Sequence, residues 1–320
     1  MCQQNYAGDL ECILVDDCTP DRSMYIANSL IESYHGPIQF RILRNPENQG
    51  LSCSRNNGFS IAKGDYVFFL DSDDYISDDC INSLSKQLYL YDCEIDLVVG
   101  NSYEYQNGAY WQKFEDGVVT IGNHTQIMRK FLLRQVPMMA WNKLIRRHFL
   151  LSHNLQFAPQ MVHEDELWSF QLYDVVETVV LIPDVTYFYE QNANSIMNSS
   201  DYIQHRMEAC QSLVYNMLES LDNKDLYVEK CFWGIHMYML AEDMFYRFHN
   251  ELVERNITLR RQMFFKTVKD GRWVLSLFLI LTIMPPFCSF IRFRWFRHNY
   301  HVIKSIFYKL ALVFDFVHCK

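Results

Sequence analysis

None of the ten cysteines in this 320-residue chain pair at C-x-x-C spacing, and no Cys/His group has zinc-ligand spacing. That removes a zinc module or a dithiol redox motif as the organising element, and the cysteines are read as free thiols of a reducing cytosol. Positive charge is scarce: 29 Lys and Arg stand against 38 Asp and Glu, a formal net charge of -9. A nucleic-acid partner for the body of the protein is therefore not expected. There is no internal repeat or low-complexity stretch, and the first fifteen residues are too polar and mixed for a secretory signal. What is plentiful is core material, with 49% hydrophobic and 15% aromatic residues. That is enough for one large domain or two small ones.

Two apolar runs end in acids: Ile13-Leu14-Val15-Asp16-Asp17 and Tyr66-Val67-Phe68-Phe69-Leu70-Asp71-Ser72-Asp73-Asp74. Continuous β-branched and aromatic runs read as buried parallel strands, and α/β sheets bind ligands beyond the carboxyl ends of their strands. Carboxylates gathered there repel one another unless a cation is present. Hard divalent ions such as Mg²⁺ or Mn²⁺ take oxygen ligands and share them with substrate phosphates. The pattern predicts a metal–diphosphate site.

Strands are expected near Glu11 to Val15, Ile38 to Leu43, Tyr66 to Leu70 and Ile95 to Val99. Helices alternate with them around Arg22 to Tyr34, Ser52 to Ala62 and Asp78 to Tyr91. Ser77 is the expected N-cap of the third helix. This is the βαβαβ order of a doubly wound, mostly parallel sheet with helices on both faces. Further on, a hairpin is expected around Asn107-Gly108 and helices near Thr125 to Gln135, Trp141 to Asn154 and from His163. Short strands follow at Val179 to Ile182 and Val185 to Tyr189, parted by Pro183. Beyond Asp201 the pattern is helical. Trp273 to Ile291 holds no charged residue in 19 positions, and residues 291 to 320 hold six Lys and Arg against one acid. The run is broken by Pro285 and Pro286, which suits an interfacial anchor better than a span, and a helical pair packed in the protein is the third reading. An anionic cytosolic leaflet would attract such a tail.

Five segments in order carry a family resemblance. They are Glu11-Cys12-Ile13-Leu14-Val15-Asp16-Asp17, Asn48-Gln49-Gly50-Leu51-Ser52-Cys53-Ser54-Arg55-Asn56-Asn57-Gly58, Asp71-Ser72-Asp73, Trp141-Asn142-Lys143-Leu144 and His163-Glu164-Asp165. Over residues 3 to 200 the chain resembles family 2 of the glycosyltransferases, inverting enzymes of the GT-A fold. The strand with which that family opens is missing ahead of Glu11. The resemblance divides the chain at 1–100 (nucleotide-sugar half), 101–200 (acceptor half), 201–271 (helical extension) and 272–320 (apolar, basic tail).

The resemblance also implies roles. Asp73 and Asp71 would hold a divalent metal, Mg²⁺ or Mn²⁺, with Asp71 also near the donor ribose. Asp17 would meet the nucleotide base with Asp16 in support, and Arg55 would pair with a phosphate or an acid of the site. Asp165 would be the general base, with Glu164 its neighbour or substitute. Trp141 and Lys143 are read as acceptor-pocket walls, with core as an equal reading for Trp141, and Asp74 and His163 as structural. The implied reaction moves a sugar from a nucleotide sugar, UDP-linked, to a hydroxyl of a cell-surface glycan or lipid-linked acceptor at the inner face of the plasma membrane. Two other readings stay open on the residues: a shortened, inactive relative, and a haloacid-dehalogenase-type phosphatase, because strand-Asp-Ser-Asp resembles that family's nucleophile loop.

Overall fold

The computed structural model describes residues 1–191 apart from 105, 107, 115–117, 122, 123, 133, 134, 160, 162 and 163, together with Phe265 and Val268. The elements run β1 (Glu11–Asp16), α1 (Ser23–Ser33), β2 (Gln39–Arg44), α2 (Gly50–Ile61), β3 (Tyr66–Phe68), β4 (Tyr75–Ile76) and α3 (Cys80–Lys86), which closes in a 3-10 turn, Gln87–Tyr89. Then come β5 (Leu97–Glu104), β6 (Ala109–Gln112), β7 (Val118–Ile121), α4 (His124–Leu132), β8 (Lys143–Arg146), α5 (Arg147–Ser152), α6 (Glu164–Val175) and β9 (Thr178–Tyr189). The alternation read from the first hundred residues is present. Capping of α3 differs: Asp79 is its N-cap, no side chain caps it, and the Ser77 hydroxyl donates to Asp79 instead.

The strands fall into two sheets. β1 and β2 pair in parallel from Glu11↔Gln39 to Asp16↔Arg44. The larger sheet has the order β3-β8-β5-β9-β4, with β6 on β5 and β7 on β9. Only β5 and β9 run parallel in it; its other pairs are antiparallel. The architecture is α/β as expected, but the sheet is mixed rather than mostly parallel. The reason is β8, which inserts antiparallel between β3 and β5.

β8 also overturns the helix expected from Trp141 to Asn154. Asn142 has φ +59, a left-handed conformation that cannot continue a helix, and Lys143 to Arg146 are captured by strands on both sides. A helix forms only from Arg147. Conversely, Pro183 does not split β9. It sits exposed where the β5–β9 register slips between Val99 and Asn101, and such a bulge asks for no amide donor.

Alternation along the sheet sends side chains to both faces. Val98, Leu144 and Val180 pack with Cys80, Ile81 and Leu84 of α3 and with Trp141 and Tyr187. One residue from Leu144, Lys143 lies instead over the ring of Tyr173 on α6, which packs against α4. Helices thus cover both faces. Gly58 lets α2 approach β1, since a Cβ there would lie 3.0 Å from Val15 Cγ2. The helical extension and the basic tail read from residues 201–320 lie outside the described residues. Among the described residues no helix is long and apolar enough to cross a membrane.

Candidate active site

The segment Ser54 to Gly58 on α2 organises the site, and each of its polar side chains is in use. Ser54 Oγ accepts from Asn45 Nδ2 at 3.2 Å, and Asn57 Nδ2 donates to Asn45 Oδ1 at 2.9 Å. Asn56 exchanges two hydrogen bonds with the Phe157 backbone, at 2.8 and 2.9 Å, and so pins a remote segment to α2. Arg55, 8% exposed, donates to Asp71 Oδ1 and to Glu164 Oε1, each at 2.6 Å. Its guanidinium also lies 5.2 Å over the Phe157 ring. Burial disfavours a charged Arg55, but Asp71 and Glu164 outweigh it and hold the group firmly protonated. One side chain thereby joins the end of the β3 run to the start of α6. These are the two acidic elements expected to bind donor and to act as base.

Asp16 and Asp17 close the turn after β1. Asp16 is buried and accepts from the Thr19 amide at 3.0 Å. Asp17 accepts from Asn45 Nδ2 at 2.7 Å and from the amides of Gln49 and Gly50 at 2.8 Å each. Gly50, with φ +82, starts α2, so both Asp17 oxygens are spent on that helix's first amides. Desolvation opposes ionisation of Asp17, but these bonds prevail and hold its carboxyl below the usual range.

The loop from Asp71 to Asp74 is tied down by Tyr187 of β9. The Tyr187 hydroxyl donates to Asp74 Oδ2 at 2.6 Å and accepts from the Asp71 amide at 3.3 Å, while the Glu190 amide donates to Asp74 Oδ1 at 2.9 Å. Burial pushes the Asp74 carboxyl up to about 6 against the pull of Tyr187. Asp73, between these anchors, is exposed. No group of three or more His, Cys, Asp or Glu side chains is arranged as a metal cage among the described residues. Mg²⁺ and Mn²⁺ sites on substrate phosphates often need only one or two protein carboxylates; those of this loop are Asp71, whose Oδ1 is bonded to Arg55, and the exposed Asp73.

On α6, Glu164 faces Arg55 and Asp165 keeps part of its surface open. Desolvation, then Glu164 and Glu166, push the Asp165 carboxyl up to about 7, against Arg55 and Lys143. Such a carboxyl can accept a proton near neutral pH.

Residues 1–151 match the model described as Glycosyl transferase family 2. That match takes in 151 of the chain's 320 residues, a little under half. The chain is 29% identical over 201 residues to the glycosyltransferase GlyA of Streptococcus pneumoniae, covering 59% of this chain and 27% of GlyA. It is 27% identical over 210 residues to GlyG of the same organism, covering 62% and 66%. The chain thus spans from about a quarter to two thirds of the length of these relatives. A crystal structure of residues 1–349 of Staphylococcus aureus TarS in complex with UDP-GlcNAc superposes with a TM-score of 0.56 at 18% identity. That match covers 76% of this chain and 65% of TarS 1–349, and it shares the GT-A fold. Glu164 and Asp165 lie beyond the matched family domain, and Arg55 and Asn56 bind their half of the chain to it.

Of the two residues expected at the acceptor pocket, Trp141 takes the core reading also open to it, and Lys143 is buried as well. Trp141 is buried and stacks on Tyr187 with centroids 4.3 Å apart, and Lys143 is fully buried. His163 lies outside the described residues. Sequence reasoning missed Tyr187, which sits in an aromatic strand with no motif around it. Arg55 was expected to pair with a phosphate or an acid of the site, but the sequence did not single out Asp71 and Glu164 as its two partners.

Proposed function

We propose that the chain is an inverting glycosyltransferase that moves a sugar from a nucleotide sugar, UDP-linked, to a hydroxyl of a cell-surface glycan or lipid-linked acceptor. The observation that carries this reading is the double ion pair of Arg55. It draws Asp71, at the end of the β3 run, and Glu164, next to Asp165, to one guanidinium. Donor and acceptor chemistry would then share one pocket.

Asp71 and Asp73 would hold Mg²⁺ or Mn²⁺, which when bound offsets the negative charge that builds on the departing diphosphate. Arg55 supports the same end by fixing Asp71. The acceptor hydroxyl oxygen attacks C1 of the donor sugar from the face opposite the diphosphate. A new C1–O bond forms as the C1–O bond to phosphate breaks, and its electron pair leaves on the phosphate oxygen. The hydroxyl proton passes to Asp165, and C1 is inverted. Asp17 and Asp16 shape the turn beside the nucleotide. Engaged with α2, Asp17 would act there through the turn it holds as much as through a free oxygen. The basic tail would bring the enzyme to the anionic inner face of the plasma membrane, beside a lipid-linked acceptor.

The test is turnover of a panel of UDP-sugars with and without Mn²⁺ in the full chain. Asp73→Asn is expected to abolish Mn²⁺-dependent turnover. Asp165→Asn should lower transfer by roughly 10²- to 10⁴-fold while UDP still raises the melting temperature. Release of inorganic phosphate from a generic phosphoester, with no turnover of any nucleotide sugar, would favour the phosphatase reading instead.

A further inference from the structure

One face of α6 descends onto the backbone of Pro137–Met139 as a ladder. The Tyr173 hydroxyl donates to the Pro137 carbonyl at 3.2 Å, Ser169 Oγ to the Met138 carbonyl, and Lys143 Nζ from β8 to the Met139 carbonyl. Tyr173, Ser169 and Asp165 recur at intervals of four along the helix, so the next position on that face is Asp165. Lys143 is completely buried, and an ammonium is rarely buried without a counter-charge. The charged groups it feels are Asp165, which attracts it, and Arg55, which repels it. Its ammonium also meets the Met139 carbonyl and lies over the Tyr173 ring, with Nζ 5.9 Å from the centroid.

We infer that Lys143 is a positioning residue for Asp165: its ammonium, anchored on the Met139 carbonyl, is the counter-charge that keeps the Asp165 side chain an ionised base. Asp165 is otherwise crowded by acids of its own helix, Glu164 and Glu166, and Arg55 from α2 is already committed to Glu164 and Asp71. Among the described residues Lys143 is the other cation acting on Asp165, and it comes from β8 of the sheet. Burial brings its ammonium down to about 7, close to where Asp165 titrates. Each charge favours the ionised form of the other, so their protonation is linked. The word base rests on the function proposed above, whereas the counter-charge can be measured without any transfer.

The experiment is a carbon-13 NMR titration of the full chain, labelled at Asp Cγ and Lys Cε, from pH 5 to 9. The Asp165 midpoint is expected to rise by about one pH unit in Lys143→Met, roughly a tenfold loss of carboxylate at a fixed lower pH, and to stay in place in Lys143→Arg. Reciprocity requires the Lys143 midpoint to fall by a similar amount in Asp165→Asn. That arm decides the matter if Lys143→Met does not fold. A Lys143 midpoint unmoved in Asp165→Asn would overturn the inference, as would an Asp165 midpoint unmoved in folded Lys143→Met. Coupled midpoints with full UDP-sugar turnover in Asp165→Asn would overturn only the base assignment and leave the charge pair standing.

Discussion

Arg55→Met removes the cation shared by buried Glu164 and half-buried Asp71, with little change in side-chain length. Breaking a buried ion pair by deleting one partner costs about 3–5 kcal/mol, because the survivor is left without compensation. Glu164 carries most of that cost, since its side chain is 9% exposed, whereas Asp71 at 24% can recover some hydration. The lost stacking on Phe157 adds about 0.5–1 kcal/mol. The total is about 4 kcal/mol at pH 8. Protonation relieves stranded carboxylates, so the deficit should shrink at pH 5. Arg55→Lys keeps the charge but cannot fork to both acids, and losing one charge-assisted hydrogen bond costs about 2 kcal/mol. Urea unfolding followed by tryptophan fluorescence at both pH values measures each figure. An Arg55→Met variant within about 1 kcal/mol of the parent at both pH values would refute the claim that this residue ties the two halves together.

Tyr187→Phe takes away the donor to Asp74 and the acceptor for the Asp71 amide. It should cost about 1.5–3 kcal/mol in urea unfolding and weaken Mn²⁺-dependent UDP binding, because the loop from Asp71 to Asp74 loses its anchor. Asp17→Ala frees the first amides of α2 and should cost about 1–2 kcal/mol at pH 7. The Asp17 carboxyl is held below its usual 3.8. Its contribution is therefore present above that value and lost as pH falls beneath it, so parent and variant should converge in acid. Because Asp165 must be ionised to accept a proton and titrates at about 7, the rate of transfer should drop about tenfold per pH unit below that point. A flat profile from pH 5 to 8 would contradict this.

The strand–helix alternation of the first hundred residues was legible because each element carries its own period and punctuation. The five motifs were legible because each residue type is needed where it stands: Gly58 for the approach of α2 to Val15, Arg55 for its two acids. Where the reading failed, a partner distant in sequence decided the outcome. Lys143 to Arg146 form a strand because β3 and β5 offer edges on both sides, which no local propensity records. Pro183 is accommodated because β5 slips register opposite it. Tyr187 gained its part in the site only once β9 had been laid beside β4, bringing its hydroxyl to Asp74, 113 residues away in sequence. The double bond of Arg55 to Asp71 and Glu164 is likewise a product of folding, spanning 16 and 109 residues.

The place where a divalent cation and a nucleoside diphosphate bind decides most directly whether residues 71 to 73 form a donor site. Anomalous diffraction from crystals of the full chain soaked with MnCl₂ and UDP measures this. One manganese peak within coordination distance of Asp71 or Asp73 and of the diphosphate oxygens, on the Arg55 side of the loop, is the predicted result. A manganese or UDP site remote from residues 71 to 73 would contradict it.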